Sequence, residues 1–543
     1  TGELIPWLAK SFEYSQDFKV VTVNLQKEVK WNDGVPFTAD DVVFTYNDLY
    51  LNPAYEGTFF APARAAAIDR VEKIDNYTVR FILKAAYPRF HINVNLFPTS
   101  VAWWATEILP KHIWQGVNVT EYKNYPPVGT GAYKVKEVGP TFIVYERRDD
   151  WWATEVFGIR PGPKYVVCQF YGSEDETALR MEANEVDYCI FGILSYGSAE
   201  KVCKENPEVM LWSRATPYTW VDPCPRALFL NNLKYPWNLP EVRRALSYMI
   251  DREMLVSLGY EGTTVSTPYF YPPYGALQPY LETIQDVIEK YEPDVYDLTK
   301  AESLLKGAGF SKGTDGVWVS PNGTRLAAEV ITWLGHIELM RATQVLVEQL
   351  RAAGVDVTYK PVATSTYFEI TSNGQYDMAY VWLCPGDTDP LSNLLLFHSR
   401  NSYAPIGEST EIFEACHRYN NSELDKIIEE LEVTSPIANP DKCKQLFRNA
   451  MEILYRDLPV IPLCQTPAVL PFNSHYWVGW PSADNPWIHP LIWATHGVIA
   501  LTGYQSTITG EWVGGIRPKT ITYTTVYFTK DTPRFRGIDL VWY

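Results

Sequence analysis

No run of eighteen or more apolar residues occurs among these 543, so no stretch predicts a membrane-spanning helix; the longest apolar segment, 491–501, is short and contains His496. The opening residues carry no basic stretch followed by an apolar one, and read instead as the middle of a longer chain. Cys-x-x-Cys pairs are missing, which argues against zinc-ribbon and thioredoxin-like sites. Positive charge is in deficit: 47 Lys and Arg face 64 Asp and Glu, a net −17. Such a surface repels phosphate backbones and anionic headgroups, so no nucleic-acid partner is expected. Gly-x-Ser-x-Gly, the P-loop, Gly-x-Gly-x-x-Gly and His-Glu-x-x-His are all absent, so no catalytic residue is assigned and no enzyme is expected. His112, His336, His398, His417 and His489 share no metal-ligand spacing, so neither a metal nor a cofactor is expected. His336-Ile337-Glu338 reads as a helix start. Internal repeats and low-complexity linkers are lacking too.

What is present is globular. Hydrophobic residues at 46% and charged residues at 20% supply large cores, and the length suggests two to four domains. Trp and Tyr, 19 and 36 of them, exceed what cores usually need, which fits either a thermophile-like or extracellular composition or a cleft lined with stacking rings. The eight cysteines, at 168, 189, 203, 224, 384, 416, 443 and 464, permit disulfides in 105 pairings. Asn76, Asn118, Asn322 and Asn420 open Asn-x-Ser/Thr sequons, which are modified only outside the cytoplasm. Segments 20–25 and 77–83 alternate as strands with one buried face. Residues 339–353 have helical spacing, with Leu339, Leu346 and Leu350 apolar, and stop at Gly354 before strand 355–359. A second such unit runs from 166 through 174–183 to 186–188. The order predicts mixed α/β lobes. Beyond Gly503 the text is strand-like, as extra sheet, a docking surface or the cover of an open sheet edge.

The densest information lies in Lys30-Trp31-Asn32-Asp33-Gly34-Val35-Pro36-Phe37-Thr38-Ala39-Asp40-Asp41 and the apolar residues after it. Asn32-Asp33-Gly34 predicts a tight turn, and Thr38 a cap for a helix whose first turn carries Asp40 and Asp41. As a string, it resembles the signature of family 5 solute-binding proteins, the receptors of ABC importers for oligopeptides, dipeptides, nickel chelates and some oligosaccharides. Further likenesses follow in order over roughly 4–480: Pro127-Val128-Gly129-Thr130-Gly131-Ala132-Tyr133, Asp149-Asp150-Trp151-Trp152, Glu185-Val186-Asp187, the helix 240–253 after Phe229-Leu230-Asn231-Asn232, and Asp457-Leu458-Pro459-Val460-Ile461-Pro462.

The resemblance implies a two-lobed periplasmic-binding-protein-like fold (type II, cluster C), with mixed sheets flanked by helices and an extra subdomain. Lobe I would comprise 1–30, 140–223 and 476–543, with its first strand missing, the extra subdomain 31–139, and lobe II 224–475. It also implies an exported receptor, extracellular or periplasmic and monomeric, that closes on a short oligopeptide or oligosaccharide and presents it to an ABC permease. In the segment 380–390, Asp387 looks like the aspartate that pairs with a peptide's ammonium group, with Asp389 the neighbouring alternative; Asp389-Pro390 also suits a chain turn. Trp382 and Trp333 would close lobe strands facing the ligand, with Trp31 a third candidate, each equally suited to core packing. If the strands after Cys224 and before Cys384 are neighbours, as that fold suggests, a disulfide would tie the ligand loop to the crossing strand; otherwise both are buried thiols. The competing reading is a cell-surface filament protein built on the same scaffold by strand exchange.

Overall fold

The computed structural model describes residues 6–55, 67–93, 108–119, 121–190, 193–215, 217–273, 275–334, 336–383, 389–410, 412–486, 504–509, 511–519 and 524–529. The chain divides into two compact units, one built on Val221–Pro467 and the other on Glu3–Trp220 with Ala468–Tyr543. Both mix helices and strands, as the order of segments predicts. Among the described residues no helix is long and apolar enough to cross a membrane.

The unit of Val221–Pro467 is organised by five strands: β1 (Trp220–Leu230), β2 (Ala327–Trp333), β3 (Asp356–Val362), β4 (Met378–Trp382) and β5 (Val460–Ala468). Their order across the sheet is β3-β2-β4-β1-β5. β2 runs parallel to β3 and β4, whereas β4 is antiparallel to β1, with Arg226 opposite Trp382 and Leu230 opposite Met378. β5 stands last in that order, yet all nine of its residues are buried, so this edge is covered. Helices α1 (Arg252–Gly259) and α2 (Ile337–Ala352) pack closely. A Cβ on Gly259 would stand 2.9 Å from Ala342 Cα, so the helices meet with no room for a side chain there. α2 buries Leu339, Ala342, Leu346 and Leu350, a stripe at the three- and four-residue spacing of one helix face.

α2 ends where the spacing predicts. Gly354 takes φ +94°, its amide donates to the Arg351 carbonyl at 3.0 Å, and the Val355 amide reaches back to the Leu350 carbonyl at 2.9 Å, so that β3 can start at Asp356. A Cβ on Gly354 would also lie 2.7 Å from the Gly316 carbonyl oxygen.

The other unit holds two four-stranded sheets. One is antiparallel, in the order Ala9–Tyr14, Val20–Leu25, Thr78–Leu83, Ile68–Asp75. The second places Thr525–Thr529 parallel to Tyr165–Gln169, followed by Phe142–Arg147 and Tyr133–Val138. The strand-rich tail is thus used within its own chain: Tyr504–Ser506 pairs with Ile159–Pro161, and Arg517–Pro518 with Trp477–Val478. The signature segment forms its capped helix over Ala39–Val43, where Asp41 accepts from the Thr38 amide at 2.8 Å and Thr38 Oγ1 from the Asp40 amide at 3.3 Å. It also draws the neighbouring motifs together. Asn32 Nδ2 donates to the Pro127 carbonyl at 2.9 Å, and the indoles of Trp151 and Trp152 both donate to the Thr130 carbonyl. All four sequon asparagines are exposed.

Two expected boundaries move. A subdomain cannot begin at residue 31, because the antiparallel sheet hydrogen-bonds strands from both sides of that position. The division at 220/221 and 467/468 replaces 223/224 and 475/476: Phe472–Asn473 pair with Val209–Met210, which ties this stretch to the unit of Glu3–Trp220.

Replacing Gly354 with Ala forces an L side chain to positive φ and against a carbonyl oxygen. The variant is expected to lose about 1–2 kcal/mol or more of stability, read as a lower urea midpoint at unchanged slope.

Candidate functional site

Parallel pairing sets the ends of β2 and β4 side by side, and each strand finishes on tryptophan. The rings of Trp333 and Trp382 lie 5.5 Å apart with planes 33° from parallel, and both are half-buried. Phe368, from α3 (Thr364–Ser372), meets Trp333 at 5.5 Å, and Phe413 meets Trp382 at 5.5 Å. Phe368 and Phe413 close the group edge to face at 4.7 Å. The indole N–H of Trp333 donates to Thr364 Oγ1 at 2.6 Å, which fixes that ring's rotation.

Charge stands beside this aromatic surface. The Arg226 guanidinium, only 4% exposed, lies 5.6 Å from the Trp382 ring centre. Its Nη2 is 3.5 Å from Glu338 Oε1, and the same oxygen is 2.6 Å from His336 Nδ1. The His336 ring packs 4.7 Å from Trp333. Burial pushes the Glu338 carboxyl upward, but the hydrogen bond from His336 and the charges of His336 and Arg226 outweigh it and hold it below the usual range. Burial would lower the Arg226 pKa, but nearby Tyr260, Glu338, Tyr380 and Asp222 raise it on balance, so it stays cationic. Asp222, four residues before Arg226 on β1 and 1% exposed, accepts from the Cys224 amide through Oδ1 at 2.7 Å, while Oδ2 has no partner. Burial pushes its carboxyl up to about 7.

Of the residues singled out in the sequence, Trp333 and Trp382 come together. Trp31 belongs to the other unit, where it is 2% exposed and packs on Phe37 at 5.7 Å, as a core residue does. Asp389 is buried and accepts from the Leu391 amide at 2.9 Å, which is the turn-forming role of an Asp-Pro pair. Asp387 and Cys384 lie outside the described residues. Among the described residues Cys203, Cys416 and Cys464 are free thiols; Cys224 is not among them.

Sequence reasoning missed Phe368, Phe413, Arg226, Glu338 and Asp222, and read His336-Ile337-Glu338 only as a helix start, which it also is. A signal existed for two of them: Asp222 and Arg226 are charged residues at even spacing in an otherwise apolar strand, and ionised groups persist there only with partners.

Chemically, four rings, two of them at strand ends, offer a polarisable apolar surface for the C–H faces of a sugar ring or for apolar peptide side chains. A cavity of about 270 Å³ lies toward the other end of β1 among Asn232, Asn238, Arg243, Tyr419, Asn420 and Asp457. Its polar groups are largely committed to the unit's own structure: Arg243 donates to the carbonyls of Trp237, Asp457 and Leu458, and Asp457 accepts from Tyr419 and Asn421.

Comparison with known proteins gives a consistent family. Residues 3–404 match bacterial extracellular solute-binding proteins, family 5 Middle. The dipeptide-binding protein of Escherichia coli (strain K12) is 25% identical over 338 residues, 59% of this chain and 58% of that protein. The periplasmic oligopeptide-binding protein OppA of Salmonella typhimurium is 24% identical over 494 residues, 85% of this chain and 79% of that one. A periplasmic oligopeptide-binding protein of Thermotoga maritima superposes with a TM-score of 0.81 at 26% identity, over 95% of this chain and 91% of that one. Its mannohexaose-bound structure gives 0.74 at 27%, with the same coverage.

Two outcomes follow from the geometry. A double-mutant cycle of Trp333→Ala and Trp382→Ala, measured by urea unfolding, is expected to show a coupling of about 0.5–1.5 kcal/mol. Because the folded-state pKa of Asp222 is raised, the protein binds that proton more tightly when folded; stability is full below about 3.8 and falls as pH rises to about 7. Asp222→Asn is expected to remove most of that fall, on the order of 2–4 kcal/mol between pH 4 and pH 8.

Proposed function

Because this chain belongs to the bacterial extracellular solute-binding proteins, family 5, we propose that it is the receptor of an ABC importer and that its ligand is a short oligosaccharide. Membership places the chain outside the cytoplasm and among binding proteins rather than enzymes. The observation that carries the ligand assignment is the surface of Trp333, Trp382, Phe368 and Phe413, with the two indoles 5.5 Å apart at adjacent strand ends. The mannohexaose bound by the similar Thermotoga maritima protein supports it. Transport then needs a ligand whose affinity differs between two states of the receptor, and a permease that reads the state so stabilised.

A peptide ligand is the second reading, favoured by what the dipeptide- and oligopeptide-binding relatives bind. On that reading Asp387 takes the ligand's ammonium group, a charge-assisted contact. We also propose the Cys224–Cys384 disulfide, supported by the absence of Cys224 from the free thiols; it would restrain the loop that holds Asp387.

Calorimetry separates the ligands. Manno-oligosaccharides are expected to bind saturably, Trp382→Ala to weaken them by about 1–1.4 kcal/mol, five- to tenfold, and Asp387→Asn to leave them unchanged. Saturable heat with peptides alone, weakened by about 1.5–3 kcal/mol in Asp387→Asn, would establish the peptide reading instead.

A further inference from the structure

We propose that Glu338 is a positioning residue for the ligand surface, its single oxygen Oε1 holding Arg226 against Trp382 and His336 against Trp333 and so setting the angle between the two indoles. The inference rests on the reading of the tryptophan pair as a ligand surface.

Three facts carry it. First, two donors from different elements converge on one atom: Arg226 Nη2 from β1 at 3.5 Å and His336 Nδ1 from the start of α2 at 2.6 Å. Each donor is in turn against one tryptophan, at 5.6 Å and 4.7 Å between group centres. Second, Arg226 has little else to hold it. Its Nε is buried without a partner, and among the described residues it donates a hydrogen bond to Glu338 alone. A guanidinium tethered to one carboxylate takes its place from that carboxylate. Third, Glu338 lies in the first turn of the sixteen-residue α2, where its negative charge suits the helix end, so the carboxylate is itself fixed by the fold.

The charged and polar groups around Arg226 include Asp222 on β1, Tyr260 beyond α1, Tyr367 on α3, Tyr380 on β4, Cys464 on β5 and Glu338 on α2. The hydroxyls of Tyr260 and Tyr380 lie 2.9 Å apart and hydrogen-bond to each other. Asp222 Oδ2 carries no hydrogen bond to the guanidinium. Among the described residues, Glu338 is thus the one carboxylate bonded to the cation under Trp382. A change there acts on both indoles at once, through two separate donors. Removing either donor alone disturbs one ring.

The test uses the full chain labelled with 5-fluorotryptophan. Signals lost in Trp333→Phe and in Trp382→Phe identify the two rings in the fluorine spectrum. In Glu338→Ala both signals are expected to shift, with manno-oligosaccharide affinity at least fivefold lower. Glu338→Gln keeps an acceptor for His336 but not the charge for Arg226, so the Trp333 signal should return toward its original place while that of Trp382 stays displaced. Arg341→Ala, on the same helix as Glu338, breaks an exposed ion pair with Glu261 and should move neither signal. A stability loss in Glu338→Ala with both signals unmoved would overturn the proposal, and so would equal shifts in Arg341→Ala. If the unaltered protein binds no oligosaccharide, the ligand reading fails, while the fluorine signals still decide whether Glu338 orients the pair.

Discussion

Strand pairing is the constraint from which the site follows. β2 and β4 run parallel, with Val330 beside Met378, so two strands that end on tryptophan end within one residue of each other. Antiparallel pairing of β4 with β1 then puts Arg226 opposite Trp382. A slip of one residue in either pairing would turn a whole strand's side chains to the wrong face. Burial prevents it: Leu228, Leu230, Met378 and Tyr380 would have to exchange places with residues packed on the other side. The geometry of the surface is therefore enforced by a core some distance from it.

The same core makes the charges costly, and this explains their arrangement. An isolated ion inside a protein loses several kcal/mol of hydration. Arg226 meets that cost with the Glu338 carboxylate and the face of an indole. Asp222 has no bonded cation and meets it by holding its proton to about pH 7. Two acidic groups near one arginine thus take different states, and the difference follows from which one the guanidinium reaches.

Local chemistry in this chain was legible in the sequence. The Thr38 cap, the helix stop at Gly354 and the aromatic strand ends at Trp333 and Trp382 are each decided by a few adjacent residues, and the structure has them at those positions. What was not legible depends on separation along the chain. Phe413 is some thirty residues from Trp382, and Glu338 more than a hundred from Arg226, so no spacing rule joins them. The boundary at residue 31 failed for the same reason: the pairing of Val20–Leu25 with Thr78–Leu83 bridges more than fifty residues. Asp389 was ambiguous because an Asp-Pro turn and a ligand carboxylate use the same residues; its acceptance of a hydrogen bond from the Leu391 amide is one a turn makes.

Ordering also bears on how a surface of rings can select a ligand. One aromatic contact is worth about 0.5–1.5 kcal/mol beyond the area it buries, and immobilising a free side chain on binding costs about as much. A loose tryptophan would therefore gain almost nothing from a stacked sugar. Trp333 is held by Thr364, Phe368 and His336, and Trp382 by Phe368, Phe413 and Arg226, before any ligand arrives. Their ordering cost is met during folding, so on the proposed reading the stacking energy is kept for the ligand. If the tryptophans hold the ligand as proposed, the contacts among the rings and ions around them matter to recognition as much as the two tryptophans themselves.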